Sequence, residues 1–206
     1  MGKEDFKKLL LALIFIATSL GIAIDIYVNS IERGIWEGLS IFKYFTLQSN
    51  ALVMIFAFIE LFNLRGLANN RYFRRSLTPV TSYIMLTGIT FMIILAPTST
   101  VTGLHKVASD LLHYLVPPLM FFYWIIFEER ELKYKYVLSW ILYPFFFMFW
   151  GLFLAIIKED YLYPFFDINK FGYGIIPYLL AMTLATAFIG IFLVFVRKRF
   201  TGSRIS

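Results

Sequence analysis

An all-α polytopic membrane bundle of six transmembrane helices, with both termini cytoplasmic, is the architecture the sequence predicts, and three observations lead to it. Of the 206 residues, 60% are hydrophobic and only 16% charged, with mean hydropathy +0.74, far above the apolar share of a soluble domain. Six apolar segments fall in the range of about 17–25 helical residues that crosses a hydrocarbon core of roughly 30 Å. The basic residues lie between these segments in short groups, weighted towards alternate connections. Residues 1–206 are therefore expected to form one six-helix domain, with spans near 9–28, 45–64, 77–95, 111–127, 136–157 and 174–196.

The first span follows a basic start. MGKEDFKKLLLALIFIATSLGIAI resembles a secretory signal there, but its apolar run is long and no small-x-small cleavage site closes it, so a retained span is expected. Asp25 lies about four residues, or roughly 6 Å, from the outer end of that span. The second span opens on a polar cluster: behind the boundary residues Lys43 and Tyr44, Thr46, Gln48, Ser49 and Asn50 put four hydrogen-bonding side chains within five residues. Thr46, Ser49 and Asn50 share a helical stripe that continues through Val53. Lipid does not satisfy such groups, so the stripe should face other helices. Glu60, near the far end, is placed to reach Arg65 or the headgroups by snorkelling.

Thr78-Pro79 can cap and start the third span, since proline is tolerated in a first turn where its missing N–H would be unpaired anyway. Pro97 closes that span. The fourth carries His113 in SDLLHYLVPPL, near its start and one turn before Pro117-Pro118. His113 stands three residues beyond Asp110, and Thr46 three beyond Lys43, which gives both a depth of about 4.5 Å. Topology thus brings the two residues to one level of the bundle. Pro117-Pro118, and Tyr143-Pro144 in the fifth span, free carbonyls and bend helices, and bent helices leave cavities. Phe145 to Trp150, FFFMFW, suits lipid contact and packing. Trp124 and Trp140 towards cytoplasmic ends, and Trp36 in an outer loop, fit interfacial aromatics. The loop KEDYLYPFFDINKFGYG, with Lys158, Glu159, Asp160, Asp167 and Lys170, suits a cover over a site and a solvated loop equally well.

Orientation rests on the basic residues. Lys3, Lys7, Lys8, Arg65, Arg71, Arg74, Arg75, Arg130, Lys133, Lys135, Arg197, Lys198, Arg199 and Arg204 fall on one side, whereas only Arg33, Lys43, Lys106, Lys158 and Lys170 fall on the other. The first side is cytoplasmic by the positive-inside rule. Topology also accounts for the net charge of +6, and no nucleic-acid partner is expected. With no cysteine, disulfides, thiol nucleophiles and thiolate metal sites are excluded. No HExxH, phosphate loop or GxSxG elbow is present, which disfavours metal hydrolysis, nucleotide use and a serine-hydrolase fold. Neither a metal nor a cofactor is expected.

One by one, the polar residues have ordinary explanations. A threonine near a helix end usually caps or bonds back to its own helix, a lone histidine near an interface is more often structural than catalytic, and Asp25 can simply hold helices together. His105, in an outer loop, is expected to be solvated. Together, however, a hydroxyl, an imidazole, carboxylates and amides at one depth favour a functional polar site. Asp110 and His113 are an i, i+3 pair, so either Asp110 or Asp25 can orient the imidazole.

Phe42-Lys43-Tyr44-Phe45-Thr46-Leu47-Gln48-Ser49-Asn50, with Leu111-Leu112-His113-Tyr114 and Tyr163-Pro164-Phe165-Phe166-Asp167, resembles a bacterial branch of the androgen-induced and androgen-dependent TFPI-regulating protein family. The resemblance spans nearly the whole chain. It implies six spans, internal termini and a membrane threonine hydrolase of fatty acid esters of hydroxy fatty acids, with the family threonine on Thr46 and the family histidine on His113. The eukaryotic motif places Asn three residues after the Thr, whereas here Ser49 holds that place and Asn50 is four after. The expected chemistry is attack by Thr46 on an ester carbonyl, with His113 as general base, and Gln48, Ser49 and Asn50 as candidate oxyanion donors. The lipid substrate would enter laterally from the bilayer. Acyl transfer by the same pair, and a proton-linked transporter or ligand sensor built on Asp25 and His113, are the alternatives.

Overall fold

The computed structural model describes residues 2–202, and among them no strand occurs. By length and apolar composition, five helices among the described residues can cross a bilayer. A sixth crossing results if the bent pair Ile35–Lys43 and Phe45–Leu61, which meet at 85°, is one span. This is the pattern of a multi-pass membrane protein. Arg204, counted above for orientation, lies outside the described residues. Contacts gather in two compact units, Met1–Glu129 and Arg130–Ser206, where the sequence suggested one bundle. The boundary falls in the charged connection after Phe127, where the apolar pattern stops.

The first unit begins with α1 (Lys3–Arg33), whose first turn carries Glu4 and Asp5, the charge sign its positive end favours. Gly34, at φ 96°, ends it in a conformation other residues resist. Helix α2 (Ile35–Ser40) and a 3₁₀ turn (Ile41–Lys43) follow, then Tyr44 in extended conformation and α3 (Phe45–Leu61). Two single-turn helices, Arg65–Ala68 and Arg71–Arg74, lead to α4 (Leu77–Thr90), which runs on through a π-helical turn (Phe91–Leu95) to Pro97. Helix α5 (Gly103–Asp110), a second π turn (Leu111–Leu115) and α6 (Val116–Phe127) complete the unit. Helix α1 packs on α3, α5 and α6; α4 packs on α3 and α6.

Several expectations need correction. The fourth span begins at Gly103, not near Leu111, because His105 finds carboxylates on α1 while Lys106 pairs with Asp110 and Ser109 with His113 along the helix itself, which lets the helix outrun its apolar stretch. Pro117 and Pro118 head α6, and the irregularity passes to the π turn before them. Glu60, expected to reach Arg65 or the headgroups, takes Lys7 Nζ at 2.7 Å. Thr78 is the second residue of α4, two beyond the N-cap position. It is fully buried, donates through Oγ1 to Glu128 Oε2 at 2.5 Å and accepts from Trp124 Nε1 at 3.0 Å. Trp124 is accordingly buried rather than interfacial, and Glu128, at 2% exposure, is a buried acid that nothing in the run EER singled out. Thr78→Val leaves both partners short of a bond. It should cost about 1–3 kcal/mol, read as a lowered unfolding midpoint in detergent with no loss of helix content.

In the second unit, α7 (Val137–Lys158) packs against α8 (Ile175–Gly202). Pro144 sits inside α7 without ending it. Phe145, Phe146, Phe149 and Trp150 are exposed and Phe147 and Met148 buried, the division expected of a lipid-facing helix. Trp140, expected to be interfacial, is buried. In the loop after α7, Phe165 and Phe166 are buried and Asp167 Oδ1 accepts the Lys170 N–H at 2.9 Å. Phe166 lies against Gly151 of α7, where any Cβ would collide with its ring. The loop is thus anchored on its own unit.

Candidate active site

The turn at Tyr44 makes Thr46 the second residue of α3, in the first turn, where the helix end is positive. Thr46 is 9% exposed, and Ser49, Asn50 and Val53 are fully buried, so the polar stripe faces inward within its unit. His113 occupies the middle of the second π turn, in which the Val116 N–H reaches back five residues to Leu111 O. Such turns concentrate at functional sites because one extra residue redirects a side chain.

The imidazole is held on two sides. Its Nδ1 lies 2.9 Å from the carbonyl oxygen of Ser109 and 3.3 Å from Ser109 Oγ; its Nε2 lies 3.3 Å from Thr46 Oγ1. A carbonyl only accepts, so Nδ1 carries the proton and the Nε2 lone pair faces the threonine hydroxyl. Phe91, first residue of the other π turn, stacks on the ring with centroids 3.8 Å apart and planes at 17°. Two irregular turns from different helices therefore grip one histidine.

Neither aspartate orients it. Asp110 is taken by Lys106, four residues earlier, at 2.7 Å. Asp25 accepts from Asn29 Nδ2 at 3.0 Å and lies 3.8 Å from His105 Nδ1. His105, expected to be solvated, has its other nitrogen 3.2 Å from Glu32 Oε2, so it joins α1 to α5. Its two nitrogens face different carboxylates, and among the described residues no group of three or more His, Asp or Glu converges as metal ligands would. Asp25 and His113 thus have separate partners.

The amide and hydroxyl neighbours are also engaged. Gln48 Nε2 donates to Phe42 O at 2.9 Å, Ser49 Oγ to Thr46 O at 3.0 Å, and Asn50 Nδ2 to Thr46 O at 2.9 Å and Leu112 O at 3.3 Å. Ser49 Oγ also lies 2.7 Å from Thr87 Oγ1. These side chains hold backbone in place, which leaves them poor candidates for oxyanion donors. Beside the histidine, a cavity of about 190 Å³ is lined by Phe91, Ser99, Lys106, Ser109, Asp110 and Tyr114, among others. It touches both residues that grip the ring.

Sequence reasoning missed Ser109 and Phe91. Ser109 had a signal, its i−4 spacing from His113, which allows a back-bond along one helix; Phe91 had none. No family model matches the chain, and no curated protein or solved structure is significantly similar to it.

Proposed function

We propose that the chain is an intramembrane lipid-ester hydrolase in which Thr46 is the nucleophile and His113 the general base. The carrying observation is the 3.3 Å approach of His113 Nε2 to Thr46 Oγ1, with Nδ1 held by the Ser109 carbonyl. In the acylation half, Nε2 takes the hydroxyl proton as Oγ1 bonds to the ester carbonyl carbon. The tetrahedral adduct then expels the alcohol, which takes that proton from Nε2 and leaves an acyl ester on Thr46. Water, deprotonated by the same nitrogen, then adds to the acyl carbon, and the adduct expels Thr46 Oγ1, which takes the proton back from Nε2 as the free acid departs.

Ser109 O stands where a triad carboxylate would. It fixes the tautomer, and as a neutral group it stabilises the imidazolium less. The first-turn amides of α3 are the proposed oxyanion donors, since negative charge developing beside Thr46 lies at a helix N-terminus. By the positive-inside rule the six spans set both termini in the cytoplasm of a cell-membrane protein and the site beneath the outer leaflet. Fatty acyl esters, such as fatty acid esters of hydroxy fatty acids, would enter sideways from the bilayer.

The test is purified protein in vesicles, given lipid esters and, separately, a fluorophosphonate probe. Free acid should be released, and peptide mapping should place the probe adduct on Thr46. An adduct on another residue, or no release of acid from any ester, would overturn the reading; transfer of the acyl group to a lipid alcohol would turn it into acyl transfer.

A further inference from the structure

The proline pair after His113 has a consequence for the carbonyls before it. Across the π turn, the Val116 N–H bonds to Leu111 O. The next bond in that register would run from residue 117 to Leu112 O, and Pro117 has no N–H. A carbonyl deprived of its donor inside a membrane protein must find another one. Here it comes from a different helix: Asn50 Nδ2 lies 3.3 Å from Leu112 O. The same nitrogen lies 2.9 Å from Thr46 O.

One amide group, with two protons, thus ties the backbone of the nucleophile's residue to the backbone immediately before the base. Its orientation is fixed, because a flipped amide would set its oxygen against two carbonyl oxygens. Asn50 is fully buried and its Oδ1 has no partner, so the side chain is held by its donor end alone. The neighbouring carbonyl, His113 O, also precedes a proline in the π register. Gly88 of α4 packs there, where a Cβ would come within 3.1 Å of His113 O and 2.9 Å of Pro117 Cγ. The helix that carries the histidine is therefore gripped from both sides at its irregular turn.

We infer that Asn50 is a positioning residue that sets the Thr46–His113 separation by supplying the hydrogen bond Pro117 withholds from Leu112 O. The kinetic half of this inference rests on the hydrolase reading; the structural half does not.

The experiment is a double-mutant cycle between Asn50 and Pro117. Asn50→Leu removes the donor at similar size, and Asn50→Asp sets oxygen against both carbonyls. Pro117→Ala restores a backbone N–H, so Leu112 O gains a donor from its own helix. In detergent, Asn50→Leu should lower the unfolding midpoint clearly in the natural background and much less beside Pro117→Ala. For ester turnover, Asn50→Leu should lower kcat about 10-fold or more, since displacements near 1 Å can cost 10²-fold, with KM within about twofold; Asn50→Asp should be at least as poor. Pro117→Ala should recover part of the kcat lost in Asn50→Leu. Equal losses of midpoint in both backgrounds, an unchanged kcat in Asn50→Leu, or failure of both Asn50→Leu and the double variant to fold would each overturn the inference. Where no ester is turned over by the natural protein, the hydrolase reading falls and the unfolding cycle alone decides the brace.

Discussion

Thr46→Ala is expected to abolish ester turnover and probe labelling together, a fall of roughly 10³-fold or more, because removing a nucleophile takes away the covalent route and leaves only binding and electrostatic help. The variant is clean for a structural reason. Two of the hydrogen bonds that organise this turn end on the Thr46 carbonyl, which accepts from Ser49 Oγ and Asn50 Nδ2, and the substitution leaves that carbonyl in place. Helix content and unfolding midpoint should therefore change little while activity disappears. Thr46→Ser keeps the hydroxyl but loses the methyl that restricts χ1, so it should retain labelling at a reduced rate. Full turnover in Thr46→Ala, measured as acid released per protein, would remove the nucleophile assignment.

What could be read in the sequence follows from fixed helical geometry. A rise of about 1.5 Å per residue placed Thr46 and His113 at one depth, and the i, i+3, i+4 spacing placed Thr46, Ser49 and Asn50 on one buried face. The orienting group was illegible because it depended on a local competition. Asp110 and Ser109 were both near enough to His113; Lys106 took the carboxylate, and the serine carbonyl took the ring. The functions of Asn50 and Phe91 depend on π turns, and a π turn is one extra residue in an otherwise ordinary apolar run, with no composition of its own. The bend between Ile35–Lys43 and Phe45–Leu61 was hidden similarly: the first stretch is too short for a span, and Tyr44, where the chain turns, is an ordinary residue. Thr78 looked like a cap, and Glu128 like nothing in particular, because their union needs two segments 50 residues apart.

Loss of His113 should cost nearly as much as loss of Thr46. A threonine hydroxyl at neutral pH is a poor nucleophile until a base removes its proton, and positioned general bases contribute about 10²–10⁴-fold. His113→Ala should lower kcat within that range with KM little changed, since the ring acts on the proton rather than on lipid binding. The 3.3 Å separation is longer than an ideal bond, and catalytic hydrogen bonds of this kind tighten in the transition-state complex. Because the proposed mechanism has Thr46 and His113 serve one step, the double alanine variant should be no worse than the poorer single variant, whereas residues with independent roles would show additive losses. The tautomer sets the direction of the pH response: Nε2 must be unprotonated to accept from Thr46, so kcat/KM should fall on the acid side in the natural protein. Residual turnover in His113→Ala should lose that acid limb. An acid limb that persists unchanged in His113→Ala would assign the titration to another group and break the pair.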